Sequence, residues 1–414
     1  MQSSDPVRVY LGLAFVQSVC FSLFFTVQLV YHATVMGLDP LQMVLVGTVL
    51  EIVCFVFEVP TGVVADAHSR RLSVLIGLAL MGCSYALEGG VAQFWAALVG
   101  QVLWGLGYTF TSGAHQAWIT DEIGEAAAGP VFLRYRKAWL LGGVTGTVLA
   151  TGLALVHVQI PMVLAGLGMF VLVGALAIVM PERHMRASSP ERSTFGRMSA
   201  TARAGLRLAV VSPVVRVILL ISLITGLAAE AYDRLAVPSV IERFAFPQVF
   251  GSDQPAFWFG VSGLAGLLVS VVAAEVFGRR FTRFLVDGVP ARLLAGLAAL
   301  DIAALVVFAV CGHLWLAFAM MWSRRVLATI SEPVQTAWVN RGLEPAVRAT
   351  VLSMTGQANS VGQAAGGPVF GVIGTAFSLT TALVGSAALL TPVVELYRRF
   401  GTGRPARRSA DRHG

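Results

Sequence analysis

The chain has 414 residues, of which 56% are hydrophobic and 12% charged, with a mean hydropathy of +0.77. A soluble protein carries roughly 25% charged residues, so this composition excludes a water-dissolved surface and predicts an all-α membrane protein. The net charge of +7 reads as membrane topology rather than nucleic-acid binding, because of where the arginines fall.

A bilayer core takes about 20 apolar residues per helix. Twelve runs qualify, at 9–31, 40–64, 72–91, 94–120, 131–155, 160–180, 213–240, 256–277, 291–311, 314–340, 350–374 and 378–397. Runs this continuous exclude the alternating strands of an outer-membrane barrel and predict a multi-pass protein of a bacterial inner or plasma membrane. The opening Asp5-Pro-Val-Arg8 leads into an apolar segment too long for a signal-peptide core and without a small-residue cleavage site, so it is read as span 1. Basic residues gather in every second loop. Arg8, Arg70, Arg71, Arg134, Arg136, Lys137, six arginines from Arg183 to Arg207, Arg279, Arg280, Arg283, Arg292, Arg341, Arg348 and six from Arg398 to Arg412 fall on one side. Arg243 alone is basic among the opposite loops. This asymmetry predicts that both termini are cytoplasmic.

In span 1, Phe21, Phe24, Phe25 and Gln28 are large or polarisable groups suited to a cavity wall. Span 2 carries Glu51 near mid-depth, ~16 Å from its outer end at 1.5 Å per residue. It ends in Gly62-x-x-x-Asp66-x-x-x-Arg70-Arg71, which packs a carboxylate and two guanidinium groups into ten residues. Glu88 closes span 3 and is assigned to the outer interface as an inert group. Span 4 holds Gln101, Trp104, Tyr108 and His115, then Gln116-Ala117-Trp118 and the acidic pair Asp121-Glu122. The 181–212 segment is polar and basic, then amphipathic, and is read as a cytoplasmic linker with a helix lying on the headgroups.

Span 7 carries Glu230, Tyr232, Asp233 and Arg234; span 9 carries Asp301; span 10 carries Trp322, Arg324 and Arg325. Asp301 and Arg324 come out at ~15 Å depth and Asp233 at ~11 Å. Residues 401–414 are read as a basic disordered tail. Cys20, Cys54, Cys83 and Cys311 lie in or beside apolar runs at spacings that fit neither zinc nor redox motifs, and are read as packing residues.

The chain repeats itself. Trp118 and Trp338 stand 220 residues apart in similar contexts, and the same offset superposes Gly142 and Gly146 on Gly362 and Gly366. Glycines four residues apart also let two helix backbones touch, a packing reason that is independent of duplication. A second loop, Ala274-Glu275-Val-Phe-Gly278-Arg279-Arg280, echoes the first at an offset of 209. The expected organisation is a six-helix bundle over 1–180, the linker, a second bundle over 213–400, and the tail.

With these motifs in place, the chain resembles the major facilitator superfamily over nearly its whole length. The loop after span 2 is similar to that family's signature, with Ser69 where a glycine is usual, and Glu58-Val-Pro60-Thr61-Gly62 resembles a drug-exporter-like subgroup of bacterial facilitators. Two features depart from that subgroup. Gln101 stands where its proton-coupled exporters carry an arginine, and a Gly-x-x-x-Gly-Gly-Pro sequence occurs at 362–368 in span 11 rather than in span 5.

The resemblance implies alternating access between two halves, with a gating cluster of Gly62, Asp66, Arg70, Arg71 and Asp121 and its echo Glu275, Arg279 and Arg280. Gly62 would let spans 2 and 11 approach, Asp66 would cap a helix N-terminus, and Arg70 or Arg71 would pair with Asp121 or Glu122 to hold the halves together. An ionisable group at the bilayer centre costs at least ~2.5–3.5 kcal/mol, which makes Glu51, Glu230, Asp233, Asp301, Arg324 and Arg325 candidates for proton coupling. Glu230 and Asp233 are expected to face Arg324 or Arg325; static pairing of Glu230 with Arg234, four residues on, is the alternative. Phe24, Phe25, Gln28, Gln101, Trp104, Tyr108, His115, Tyr232 and Trp322 are the candidate substrate-cavity residues, suited to flat amphipathic molecules, with interhelix packing as the alternative for each.

A phosphate-binding loop needs Gly-Lys-Ser/Thr, and the single lysine, Lys137, lies between Arg136 and Ala138. Neither ATP nor any cofactor or metal is therefore expected, nor is enzymatic activity. The reading is a monomeric secondary transporter, driven by a proton gradient and exporting a hydrophobic or amphipathic small molecule. A nutrient symporter and a non-transporting membrane sensor are its rivals.

Overall fold

The computed structural model describes residues 5–183, 212–249, 251–287, 290–342 and 345–400, without the side chains of 66–67, 280–287, 341–342, 345–347, 349 and 400. The amphipathic linker helix and the basic tail expected from the sequence lie outside these residues. Twelve spans are present, all helical: Pro6–Thr34, Pro40–Ala67, Arg70–Gly90, Phe94–Ile123, Glu125–Ala154, Gln159–Val179, Pro213–Arg243, Pro255–Asp287, Pro290–Val310, Leu314–Gly342, Pro345–Ala376 and Leu379–Phe400. Among the described residues the only β feature is an isolated bridge between Val249 and Ser252.

Local chemistry sets the starts. Asp39 and Gln42 form a reciprocal capping box with Pro40 in the first turn of span 2. Span 3 begins at Ser69, whose Oγ accepts from the Leu72 amide at 2.9 Å. Ser69 thus caps span 3, and residue 66 belongs to the helix of span 2, its side chain lying outside the described residues. Two spans are broken. Span 1 interrupts between Phe25 and Gln28, and span 4 between Thr111 and Ala114, where Gly113 adopts φ +76°.

Eight spans are long and apolar enough to cross a membrane on composition alone; those that are not are spans 4, 5, 10 and 11. These are the same two positions in each set of six. Packing repeats in the same way. Gly142 and Gly146 of span 5 lie against span 1, where a Cβ on Gly142 would sit 3.0 Å from Ser18 Cβ. Gly362 and Gly366 of span 11 lie equally close to span 7, where a Cβ on Gly362 would sit 2.8 Å from the Leu227 amide. Small residues let helix backbones touch where lipid supplies no hydrophobic drive, so the glycines 220 residues apart serve one purpose twice.

The two sets meet towards the face opposite the 66–71 loop. There the Leu41 amide donates to Thr375 Oγ1 at 3.1 Å, and Gly367, Gly371 and Gly374 of span 11 abut Thr48, Leu41 and Pro40 of span 2. Gly260 of span 8 similarly abuts Thr151 of span 5. At the arginine-rich end the situation reverses: no atom lies within 4 Å of where a Gly62 side chain would begin. Among the described residues, the close approach of spans 2 and 11 expected at Gly62 is not made there.

Candidate functional site

Span 7 brings Thr225, Tyr232 and Asp233 to a cavity of about 560 Å³, closed by spans 8, 9, 10 and 12. Its floor is an ion pair. Arg324 donates from Nε and Nη2 to the two carboxylate oxygens of Asp301, at 2.9 and 3.1 Å. The guanidinium also lies over the Tyr232 ring, 3.8 Å from its centroid, a cation–π contact. Asp233 and Arg325 line the same cavity and are exposed to it. Among the described residues no cation lies within ion-pair distance of Asp233. Trp322 completes the wall, its Nε1 donating to the Ser262 carbonyl at 2.9 Å and hydroxyl at 3.0 Å.

This corrects the expected pairing. Asp233 faces Arg324 and Arg325 across the cavity as expected, but Arg324 gives its hydrogen bonds to Asp301 of span 9, and Glu230 does not line the cavity. Glu230 is 2% exposed and pairs with Arg234 one turn away, Nε to Oε1 3.0 Å. That pair is pressed onto Gly47 of span 2, so tightly that a Cβ there would overlap both side chains. Glu51, one turn further on, lies within electrostatic reach of Glu230 and Arg234. Glu51, Glu230 and Arg234 thus form a polar seam where spans 2, 7 and 11 meet, separate from the cavity floor. The sequence holds no signal at Gly47 beyond a glycine in a span.

The loop cluster makes the expected pair between Arg70 and Asp121. Arg70 Nη1 bonds Asp121 and donates to the Ala117 carbonyl at 3.0 Å. Ser69 Oγ and the Arg71 amide both donate to Glu182, at 2.7 and 3.1 Å, and Arg71 Nη2 donates to the Ala177 carbonyl. Arg183 N donates to Glu122 at 2.7 Å, and Trp118 Nε1 to the Pro181 carbonyl at 2.6 Å. All these bonds join spans 3, 4 and 6 of one half. The cluster staples that half, and none of these bonds crosses to the other. The Asp66 and Arg280 side chains lie outside the described residues. In the second loop, among the described residues, Arg279 pairs with Glu275 on its own helix at 2.7 Å, and both are well exposed.

The candidate cavity residues of the first half divide. Phe25, Trp104 and Tyr108 form an aromatic face in which Trp104 and Tyr108 stack at 5.5 Å, and Tyr108 is 45% exposed. Phe24 is fully buried, stacked on Tyr85 at 4.2 Å. His115 lies beside Tyr10 and Tyr135, its Nδ1 2.9 Å from the Thr111 carbonyl, as a packing residue. Gln28 and Gln101 are each 1% exposed and turn away from any cavity towards Glu88. Glu88 is the largest correction. It is fully buried, with His32 Nε2 at 2.5 Å from its Oε1. The spacing Gln28–His32 on one helix face, opposite an acid in an apolar run, was the overlooked signal.

The geometry can now be set beside known proteins. The profile of the Major Facilitator Superfamily matches residues 9–367. The chain belongs to that superfamily. It is a multi-pass membrane protein and a transporter of the MFS type. A curated relative, the uncharacterized MFS-type transporter YxaM of Bacillus subtilis (strain 168), is 20% identical over 365 residues, 87% of each chain. Among solved structures the nucleoside transporter NupG superposes with a TM-score of 0.77 at 14% identity, covering 97% of this chain and 100% of that one. A bacterial homolog of the human lysosomal transporter Spinster, inward-facing and unoccupied, gives 0.72 at 15% identity over 96% and 98%. At such identities the superpositions show the fold alone.

Proposed function

We propose that this transporter exports a hydrophobic or amphipathic small molecule in exchange for protons, as a monomer in a bacterial plasma membrane with both termini in the cytoplasm. The supporting observation is Asp233: a carboxylate open to a largely apolar cavity, beside an arginine already neutralised by Asp301. A carboxylate without a fixed counter-charge is the group whose charge a proton or a cationic substrate can cancel. Asp301 and Arg324 hold Tyr232 and the floor in place, so protonation of Asp233 changes the cavity charge without dismantling it. The drug-exporter-like Glu58-Val-Pro60-Thr61-Gly62 approach and the Phe25–Trp104–Tyr108 face favour flat amphipathic cargo. The arginine-rich face is the cytoplasmic one on the positive-inside pattern, which makes the described conformation inward-open. The two halves then rock about a midplane site, with no role for ATP or a cofactor.

The test is a panel of flat amphipathic compounds, ethidium among them, given to a transport-deficient host with and without a proton uncoupler. Expression should lower sensitivity to some compounds, and the uncoupler should abolish the protection. Protection that survives the uncoupler sinks proton exchange; a protein that binds a compound in vesicles yet moves none is the sensor instead.

A further inference from the structure

The most enclosed ionisable pair in the molecule plays no part in the cavity. The His32 and Glu88 side chains are both 0% exposed, with Nε2 and Oε1 2.5 Å apart. Gln28 Nε2 donates to the same oxygen at 2.8 Å, and Gln101 Nε2 approaches the other at 3.3 Å. The titratable neighbours are Tyr31 and Tyr85. Tyr31 accepts from Gln159 and Tyr85 accepts from Trp104, each at 3.1 Å. Among the described residues neither arginine nor lysine lies within ion-pair distance of Glu88. The charge of this cluster is therefore set by protons alone.

The cluster is also incompletely satisfied. His32 Nδ1, Ser84 Oγ and Gln101 Oε1 are buried without a hydrogen-bond partner. Buried polar atoms in folded proteins are almost always paired, with protein groups or with buried water. Its place in the chain gives a change of protonation leverage. The helix of span 1 is distorted at Thr26–Val27, just before Gln28, and its last two turns, Gln28–Thr34, carry both Gln28 and His32. The same piece packs on span 7 of the other half, at the far face where the halves are closed.

We propose that His32 and Glu88 form a proton-binding site that governs the far-face gate. With one proton shared, imidazolium faces carboxylate and the cluster is neutral as a whole, which suits a dry site. A second proton, taken by Glu88, leaves the imidazolium without a counter-ion where water is excluded. Opening to water relieves that state, so the Gln28–Thr34 piece moves and the far face opens on acidification. The gate deepens the alternating-access reading and rests on it, but its test reads a distance rather than transport.

Spin labels at Val35→Cys and Gln254→Cys, exposed sites in the far-face turns, are placed in a background whose four cysteines are serine and reconstituted in lipid without any compound. Lowering the pH from about 8 to about 5 should lengthen the distance between them. Glu88→Gln and His32→Gln should each abolish the change or move its midpoint by more than about one pH unit, while Glu275→Gln leaves it in place. A pH-independent distance in the unsubstituted pair overturns the gate and needs no cluster variant to fold. So does a wild-type midpoint in either cluster variant. If vesicles move no compound while the distance still answers to Glu88, the transport reading fails and the gate stands.

Discussion

Asp301 and Glu88 lie in opposite halves of the transporter, and the two halves treat a buried acid differently. Asp301 receives a fixed counter-charge: two hydrogen bonds from Arg324, whose guanidinium is in turn braced by Tyr232. Glu88 receives only two amides and an imidazole. An arginine keeps its charge under any physiological condition, so the first arrangement is a permanent strut. The imidazole and carboxylate can share one proton or hold two, so the second can switch. What separates the two acids is whether the partner's charge is fixed, and depth in the membrane does not decide it.

The largest expected effect comes from breaking the strut. Asp301→Ala strands Arg324 in a mostly enclosed site and should destabilise the protein by about 3 kcal/mol, the low end for breaking a buried pair because the cavity admits water. Thermal unfolding in lipid nanodiscs measures it. Asp301→Leu combined with Arg324→Leu should recover most of the loss, and a double variant no better than the single would show that the pair is not the cause.

Next is Gly47→Leu at the seam between the halves. Overpacking costs typically about 1–3 kcal/mol, and here the strain falls on the far-face-closed state, since Glu230 and Arg234 fill the space. Thiol labelling of Val35→Cys should accelerate in that variant, and an unchanged rate would remove Gly47 from the gate. Within the loop cluster, Arg70→Ala should cost about 1.5–3 kcal/mol, the range for hydrogen bonds to charged groups, in a scan of unfolding midpoints. The smallest effect is expected at the echoed loop, where Arg279→Ala removes an exposed pair and should change stability by less than about 0.5 kcal/mol. Equal losses at Arg70 and Arg279 would contradict the asymmetry between the loops.

The twelve spans were legible because apolar runs of bilayer length leave few alternatives, and their boundaries matched within a few residues except where spans 5, 8 and 11 extend beyond their apolar cores. The glycine pairs of spans 5 and 11 were legible for a similar reason: backbone contact leaves only the smallest residue. The pairing of charges was not. Arg324 had Asp233, Glu230 and Asp301 within plausible reach, and the choice among them depends on helix rotation, which periodicity in an all-apolar span does not record. Glu88 misled because two residues from a helix end suggests the interface; the partners that enclose it, His32 and Gln101, come from other spans. Gln28 and Phe24 misled in the same way, since their helix faces the interior of its own half rather than the cleft.

Proton exchange at Asp233 can be read most directly in vesicles. Wild-type protein and Asp233→Asn are reconstituted side by side with ethidium, and dye movement is followed under an imposed pH gradient and again as dye-for-dye exchange without one. The proposed mechanism predicts that Asp233→Asn loses gradient-driven accumulation while retaining exchange. Accumulation at the wild-type rate across the whole pH range would contradict it.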